Sequence, residues 1–111
     1  VSAQQDLLHR AIDNVVRNAV KYSPNASLIT ITSKLEHAKI SIKVVDQGPG
    51  VEANELDAIF QAFFRGSKTN NTDGHGVGLA IAKQIVESHG GTIHAVNQEE
   101  GGLSVEIKLP I

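Results

Sequence analysis

The sequence contains no cysteine, which excludes disulfide bonds, thiolate nucleophiles and cysteine-based zinc sites. It also lacks a long apolar run, since no stretch approaches the roughly 20 residues that a membrane-spanning helix requires, and it has no signal-peptide pattern. We therefore expect no direct membrane contact by this chain. Basic residues are not in excess either, because the formal net charge is -2, and this argues against a nucleic-acid partner.

The remaining composition is that of an ordinary globular protein, with 41% hydrophobic and 20% charged residues. A chain of 111 residues without an internal shift in composition predicts one domain, from residue 1 to residue 111. Val1 stands where a complete protein would begin with methionine, so we expect a piece of a longer protein.

Hydrophobic periodicity predicts the secondary structure. The predicted helices cover residues 5–22, 53–60 and 76–89, and the predicted strands cover residues 29–35, 40–44, 92–96 and 103–109. Residues 65–74 are polar and without periodicity, so we expect a mobile loop there. This order of elements predicts an α+β fold, a two-layer α/β sandwich in which helices cover one face of a mainly antiparallel mixed sheet.

Polar side chains form a stripe on the first predicted helix. Asn14, Asn18 and Lys21 are separated by steps of four and three residues, which return to nearly the same side of a helix. Asparagine is unfavourable inside a helix because its amide competes for backbone hydrogen bonds, so two on one face favour binding of a polar ligand. A solvated helix face is the alternative, and it is the commoner explanation for any single residue of this kind.

Asp46 is a carboxylate directed at the core. Counting along the second predicted strand, it shares the inward direction of Ile42 and Val44. A buried carboxylate needs a hydrogen-bond donor, which an adenine amino group would supply, and Gly48 and Gly50 would let the base approach the backbone. The alternative is that Asp46 only begins a turn through its side chain.

A glycine-rich run opens the third predicted helix. It consists of Gly74, His75, Gly76, Val77, Gly78 and Leu79. The N–H groups at a helix N-terminus can bind phosphate oxygens, although a flexible hinge would use glycines equally well. The run matches neither the Rossmann fingerprint nor the P-loop. Arg65 could bridge to a terminal phosphate or lie at the surface.

The five histidines do not have the spacing of metal ligands, so we assign no metal to them.

Taken in order, these segments resemble the catalytic ATP-binding domain of two-component sensor histidine kinases, in the superfamily that includes gyrase, Hsp-type chaperone and mismatch-repair ATPases. The matching segments are residues 13–23 (DNVVRNAVKYS), 46–50 (DQGPG), 59–65 (IFQAFFR), 74–79 (GHGVGL) and 101–110, which begins with two glycines and ends in Leu-Pro. The resemblance spans nearly the whole chain and implies the Bergerat-type ATP-binding fold. His75 departs from it, since the family often has a small hydroxyl residue there.

The resemblance implies a role for each of these residues. Asn18 would bind Mg²⁺, Asn14 would assist the metal or the phosphates, and Asp46 would bind the adenine amino group. Lys21 and Arg65 would hold phosphate oxygens. The other residues implied in nucleotide binding are Tyr22, beside the base, and Gly48, Gly50, Val51, Phe60, Gly74, His75, Gly76, Val77, Gly78 and Leu79. Residues 51–75 would form a lid over ATP.

The activity implied is transfer of the γ-phosphoryl group of ATP to a histidine. The related ATPases carry a water-activating glutamate where this chain has Asn14, and an amide cannot act as a general base.

The family's acceptor histidine usually precedes an acidic residue in a separate helical dimerisation domain. No histidine here does so, and we expect the acceptor elsewhere in the same protein. The resemblance also implies a downstream response regulator, and a cytoplasmic domain whose parent protein is anchored in the inner membrane. A serine kinase of the anti-sigma type, an ATPase of the same superfamily and a non-catalytic nucleotide-binding module stay open.

Overall fold

A computed structural model describes residues 2–23, 27–61, 78–99 and 101–110, with only the backbone described at residues 2–5 and 22. The predicted loop at residues 65–74 lies outside this part of the chain. The same holds for the following predicted site residues: Arg65, Gly74, His75, Gly76 and Val77.

Two α-helices form one layer of the fold. Helix α1 covers Ser2–Tyr22, three residues longer at its start than periodicity predicts, and helix α2 covers Gly78–Ser88. The predicted short helix is instead two 3₁₀ turns, Ala53–Glu55 and Ala58–Phe60. An eight-residue stretch makes too few α-helical hydrogen bonds to offset nucleation, and 3₁₀ geometry is common in such short pieces. Among the helices described, none is long and apolar enough to span a membrane.

Four strands form the second layer. They are β1 (Thr30–Glu36), β2 (Lys39–Val45), β3 (Thr92–Asn97) and β4 (Leu103–Pro110), in the spatial order β1-β2-β4-β3. Every neighbouring pair among these strands is antiparallel. The sheet is therefore the antiparallel platform that the alternating residues predict, and β4 occupies a central position between β2 and β3.

The core lies between the helices and one face of the sheet. Its fully buried members include Val15 of α1, Val86 of α2, Val44 of β2 and Ile107 of β4. The opposite face of the sheet is polar, as expected for an antiparallel sheet covered on one side only. This arrangement confirms the predicted two-layer sandwich.

Strand β1 is an exception to the predicted burial. All of its residues are exposed, including Ile31 and Leu35, which periodicity predicts to face the core. The helices pack over β2, β4 and β3, and they leave β1, the edge strand beside β2, uncovered.

Candidate functional site

Asp46 follows β2 directly, and its carboxylate points to the helical side of the sheet as its strand position predicts. The residue is only 4% exposed. Its Oδ1 atom accepts hydrogen bonds from the backbone N–H of Gly48 at 2.9 Å and of Leu103 at 3.1 Å. Burial raises the pKa of the Asp46 carboxyl above its ordinary value, while these two hydrogen bonds act in the opposite direction.

The second carboxylate oxygen of Asp46 is differently placed. Among the described residues no hydrogen bond reaches Oδ2, and no fully buried side-chain oxygen or nitrogen in this part of the chain lacks a partner. Oδ2 therefore keeps some contact with solvent. The turn-forming role and a ligand-binding role are thus compatible, because they use different oxygens of one carboxylate.

The turn after Asp46 is held against the hairpin of β3 and β4. Gly48, Gly50 and Val51 are buried, and Gly50 has a positive φ of 70° that favours glycine. The side-chain amide of Asn97 accepts a hydrogen bond from the N–H of Val51 at 3.0 Å and donates one to the Val51 carbonyl at 2.7 Å. A Cβ on Gly50 would lie 2.5 Å from Asn97 Oδ1, so only glycine fits beside this amide.

Asn97 was not among the residues predicted to serve the site. A signal for it exists in the sequence, because Asn97 shares the inward direction of Ile93 and Ala95 along β3 and is polar at that position. The same parity argument identifies Asp46 on β2. The hydrogen-bond partner of Asn97, however, is Val51, which lies 46 residues away along the chain, and no local pattern identifies that pairing.

The end of α1 lies beside the Asp46 turn. The N–H of Gln47 donates a long hydrogen bond of 3.4 Å to the hydroxyl of Ser23, the residue immediately after α1. The Gln47 side chain in turn accepts a hydrogen bond from the N–H of Leu28 at 3.1 Å. The final turn of α1, which carries the exposed Lys21, is therefore joined to the residue that follows Asp46.

Further back along α1, the polar stripe meets the start of α2. Asn14 and Asn18 are both partly buried, next to the buried core residues Val15 and Ala19. A Cβ on Gly78, the first residue of α2, would lie 4.0 Å from both the Cβ and the carbonyl oxygen of Asn14. The two asparagines thus lie along α1 between the N-terminus of α2 and the Asp46 turn.

Phe60 and Leu79 are core residues in this structure. Each is 7% exposed. The ammonium group of Lys83 on α2 lies 5.9 Å from the centre of the Phe60 ring, a cation–π distance that holds the second 3₁₀ turn against α2. The Tyr22 side chain lies outside the described residues, as do the predicted site residues in 65–77.

The arrangement along α1 suits an elongated polar ligand. At one end is a buried carboxylate with one solvent-accessible oxygen, which can accept a hydrogen bond from an amino group. At the other end is the start of α2 at Gly78, where the N–H groups and the dipole of a helix favour anions. Asn14 and Asn18 supply amide oxygens between them. No group of three or more His, Asp or Glu side chains that could hold a metal ion occurs in the described part of the chain.

Comparison with known proteins gives consistent results. A family model described as "Histidine kinase-, DNA gyrase B-, and HSP90-like ATPase" matches residues 3–111. The sensor-like histidine kinase SenX3 of Mycobacterium tuberculosis is 38% identical over 112 residues, which cover 99% of this chain. The chain spans 27% of the length of SenX3.

Solved structures are similar as well. The mycobacterial sensor histidine kinase MprB superposes with a TM-score of 0.89 and 33% identity, covering 95% of this chain and 72% of that one. Full-length ShkA, crystallised in complex with AMPPNP, gives a TM-score of 0.80 and 28% identity over 94% of this chain and 21% of that one.

Proposed function

Because this chain belongs to the family of histidine kinase-, DNA gyrase B- and HSP90-like ATPases, we propose that it binds Mg-ATP and donates the γ-phosphoryl group to a histidine of a separate domain. The observation that carries the proposal is the carboxylate of Asp46, buried, fixed through Oδ1 and accessible through Oδ2. Such a group can recognise a donor on a ligand without rearranging, which fits the 6-amino group of adenine.

The chain's own residues would hold the two ends of the nucleotide. Asp46 would accept a hydrogen bond from the adenine amino group, and Gly48 and Gly50 would admit the base to the backbone. Lys21 and Arg65 would contact phosphate oxygens. The remaining proposed contacts are those of Tyr22, Val51, Phe60, Gly74, His75, Gly76, Val77, Gly78 and Leu79.

Mg²⁺ fits the donor set that this site offers. Magnesium prefers oxygen ligands and retains several from water and substrate phosphates, so one or two protein oxygens are sufficient. We propose that Asn18 supplies the amide oxygen and that Asn14 assists. When bound, the ion would neutralise charge on the phosphates.

Transfer, rather than hydrolysis, follows from the residue at position 14. The amide of Asn14 cannot take a proton from water, so this chain offers no general base there. In the proposed step an imidazole nitrogen of the acceptor histidine attacks the γ-phosphorus. The bond to the β–γ bridging oxygen breaks, ADP leaves, and the imidazole N–H proton passes to solvent. The SenX3 and MprB names support a histidine as acceptor.

The acceptor would lie in a helical dimerisation domain of the same protein. We further propose a response regulator as the downstream partner, and a parent protein anchored in the inner membrane with this domain in the cytoplasm. We propose that residues 1–111 form the catalytic ATP-binding domain, and the family match over residues 3–111 supports this proposal.

Calorimetric titration of the chain with Mg-ATP tests the proposal. We expect micromolar to millimolar binding by the wild type and a loss of at least about tenfold in Asn18→Ala, since a metal ligand is removed. Val20→Ala on the same helix is the matched control, because Val20 is 59% exposed and has no proposed contact with the nucleotide. Equal affinity in the wild type and Asn18→Ala would refute the assignment of Asn18, and no binding by the wild type would refute the function.

A further inference from the structure

Asn97 makes a two-sided contact with the turn that follows Asp46. Its Oδ1 accepts from the Val51 N–H at 3.0 Å and its Nδ2 donates to the Val51 carbonyl at 2.7 Å. Both polar groups of one backbone residue are therefore satisfied by a single side chain from a distant strand. Few side chains other than an amide present a donor and an acceptor side by side in this way.

The other end of the same turn is joined to the same hairpin. Asp46 is bonded to Leu103 through its side chain at 3.1 Å and through its backbone N–H at 3.0 Å. Asn97 and Leu103 are directly opposite each other in the β3–β4 pairing. One rung of the hairpin thus holds both Asp46 and Val51, the first and last residues of the turn.

The fit around this rung is close. A Cβ on Gly50 would lie 2.5 Å from Asn97 Oδ1, and a Cβ on Gly102 would lie 2.0 Å from the Asp46 carbonyl oxygen. The backbone of the turn therefore approaches the hairpin as near as glycines allow. A displacement of Val51 would change the path of Gly48 and Gly50, which connect it to Asp46.

We propose that Asn97 is a positioning residue for purine recognition. By holding Val51, it sets the course of the turn and thereby the surface on which the base lies and the direction of Asp46 Oδ2. It does so without contact to the nucleotide. The inference rests on the proposed binding of Mg-ATP, and it extends that site to a residue on β3.

Replacement of Asn97 by alanine tests this role. Loss of both hydrogen bonds to Val51 leaves only the Asp46 end of the turn fixed, so we expect the Kd for Mg-ATP to rise by about tenfold. Because the substitution alters the surface that binds the base, and ATP and ADP share that base, the Kd for Mg-ADP should rise by the same factor. The preference for ATP over GTP should also fall, a result that a loss of stability alone would not produce. Thr92→Ala, an exposed position on the same strand, is the control.

Hydrogen exchange of the nucleotide-free chain provides a second readout. In the wild type the Val51 amide should be protected, and in Asn97→Ala that protection should be lost while the Leu103 amide, bonded to Asp46, keeps its own. If Asn97→Ala does not fold, Asn97→Ser replaces it under the same criteria, since a hydroxyl keeps one polar atom near Val51.

The outcomes separate this inference from the function on which it rests. Suppose that the wild type binds Mg-ATP and that the Asn97 variant has the same Kd and the same preference for ATP over GTP. This result would overturn the positioning role and leave the function intact. A wild-type chain that does not bind Mg-ATP would overturn both. Weakened, less selective binding with loss of Val51 protection supports the inference.

Discussion

Asp46 and Leu103 are joined by two hydrogen bonds across 57 residues of sequence. The Leu103 N–H donates to Asp46 Oδ1 at 3.1 Å, and the Asp46 N–H donates to the Leu103 carbonyl at 3.0 Å. The carboxylate is consequently held in place by the fold before any ligand arrives. Fixing a recognition group in advance reduces the ordering that binding requires.

Asp46→Asn should separate stability from recognition. The asparagine Oδ1 can still accept from Gly48 and Leu103, and the cost of burying a charge disappears, so we expect the nucleotide-free chain to be as stable as the wild type or more so at pH 7. The amide nitrogen would then face the adenine amino group, donor against donor, and the Kd for Mg-ATP should rise by at least about tenfold.

The stability of the same variant should depend on pH in a defined direction. Burial raises the pKa of the Asp46 carboxyl in the folded wild-type chain. The carboxyl therefore makes its full contribution to wild-type stability below the pKa that it has in the unfolded chain, and this contribution is lost as pH rises through the pKa that it has in the folded chain. The stability advantage of Asp46→Asn should therefore grow with rising pH above about 4. Urea unfolding across this range measures it, with Asp6→Asn at an exposed position as control. An advantage that shrinks with rising pH would contradict the prediction.

Gly101 and Gly102 form a matched pair for testing whether the close contact between the β3–β4 hairpin and the Asp46 backbone requires glycine. Both have positive φ, 99° and 105°, so alanine is strained at either position. At Gly101 nothing lies within 4 Å of the added Cβ, whereas at Gly102 it would lie 2.0 Å from the Asp46 carbonyl oxygen. We expect Gly101→Ala to cost about 1–2 kcal/mol and Gly102→Ala to cost more than about 3 kcal/mol or to prevent folding. Denaturant unfolding compares them, and equal costs would refute the steric account.

Ser41, Glu106 and His94 form a polar cluster on the outer face of the sheet. Ser41 donates to Glu106 Oε2 at 2.5 Å, and His94 Nε2 lies 3.3 Å from Glu106 Oε1. The Ser41 hydrogen bond is the largest cause that lowers the pKa of Glu106, with smaller contributions from Lys108, His94 and Lys43, while partial burial opposes them.

Ser41→Ala should raise the pKa of Glu106 toward its ordinary value, as NMR titration of its carboxyl carbon would measure. Since a lowered pKa stabilises the fold above the unfolded pKa and the effect is lost as pH falls through the folded pKa, the variant should lose stability near neutral pH and little in strong acid. Nucleotide affinity should not change, because this cluster lies on the face away from the helices. Thr32→Ala, exposed on β1, is the control.

The isolated chain should not phosphorylate itself. None of its histidines precedes an acidic residue, so incubation with γ-labelled Mg-ATP should leave no acid-labile phosphate on it. Addition of the helical domain of the parent protein should produce labelled histidine on that domain, and Asn18→Ala should abolish the signal. Acid-stable phosphate on serine would instead favour the serine kinase, and released inorganic phosphate the ATPase. Binding without transfer, even with the helical domain present, would favour a non-catalytic module.

Much of the local structure follows from the sequence alone. The extents of α1 and β4, the alternation that places Asp46 inward, and the stripe of Asn14 and Asn18 depend only on the period of a helix or strand. Such periods are properties of neighbouring residues, and the structure agrees with them to within a few positions. The exposed edge strand β1 departed from prediction because packing of distant elements decides which apolar residues are covered. The two 3₁₀ turns departed from it because the stretch is too short to offset α-helix nucleation.

Only the tertiary structure decided which residues support Asp46. The bonds of Asn97 to Val51 and of Leu103 to Asp46 span 46 and 57 residues, and each exists because β4 pairs with both β2 and β3. Strand order is set by the packing of the whole sheet against the helices, so no local pattern of residues contains it. The sequence thus determined which side chains are polar and inward, and the fold determined which of them meet.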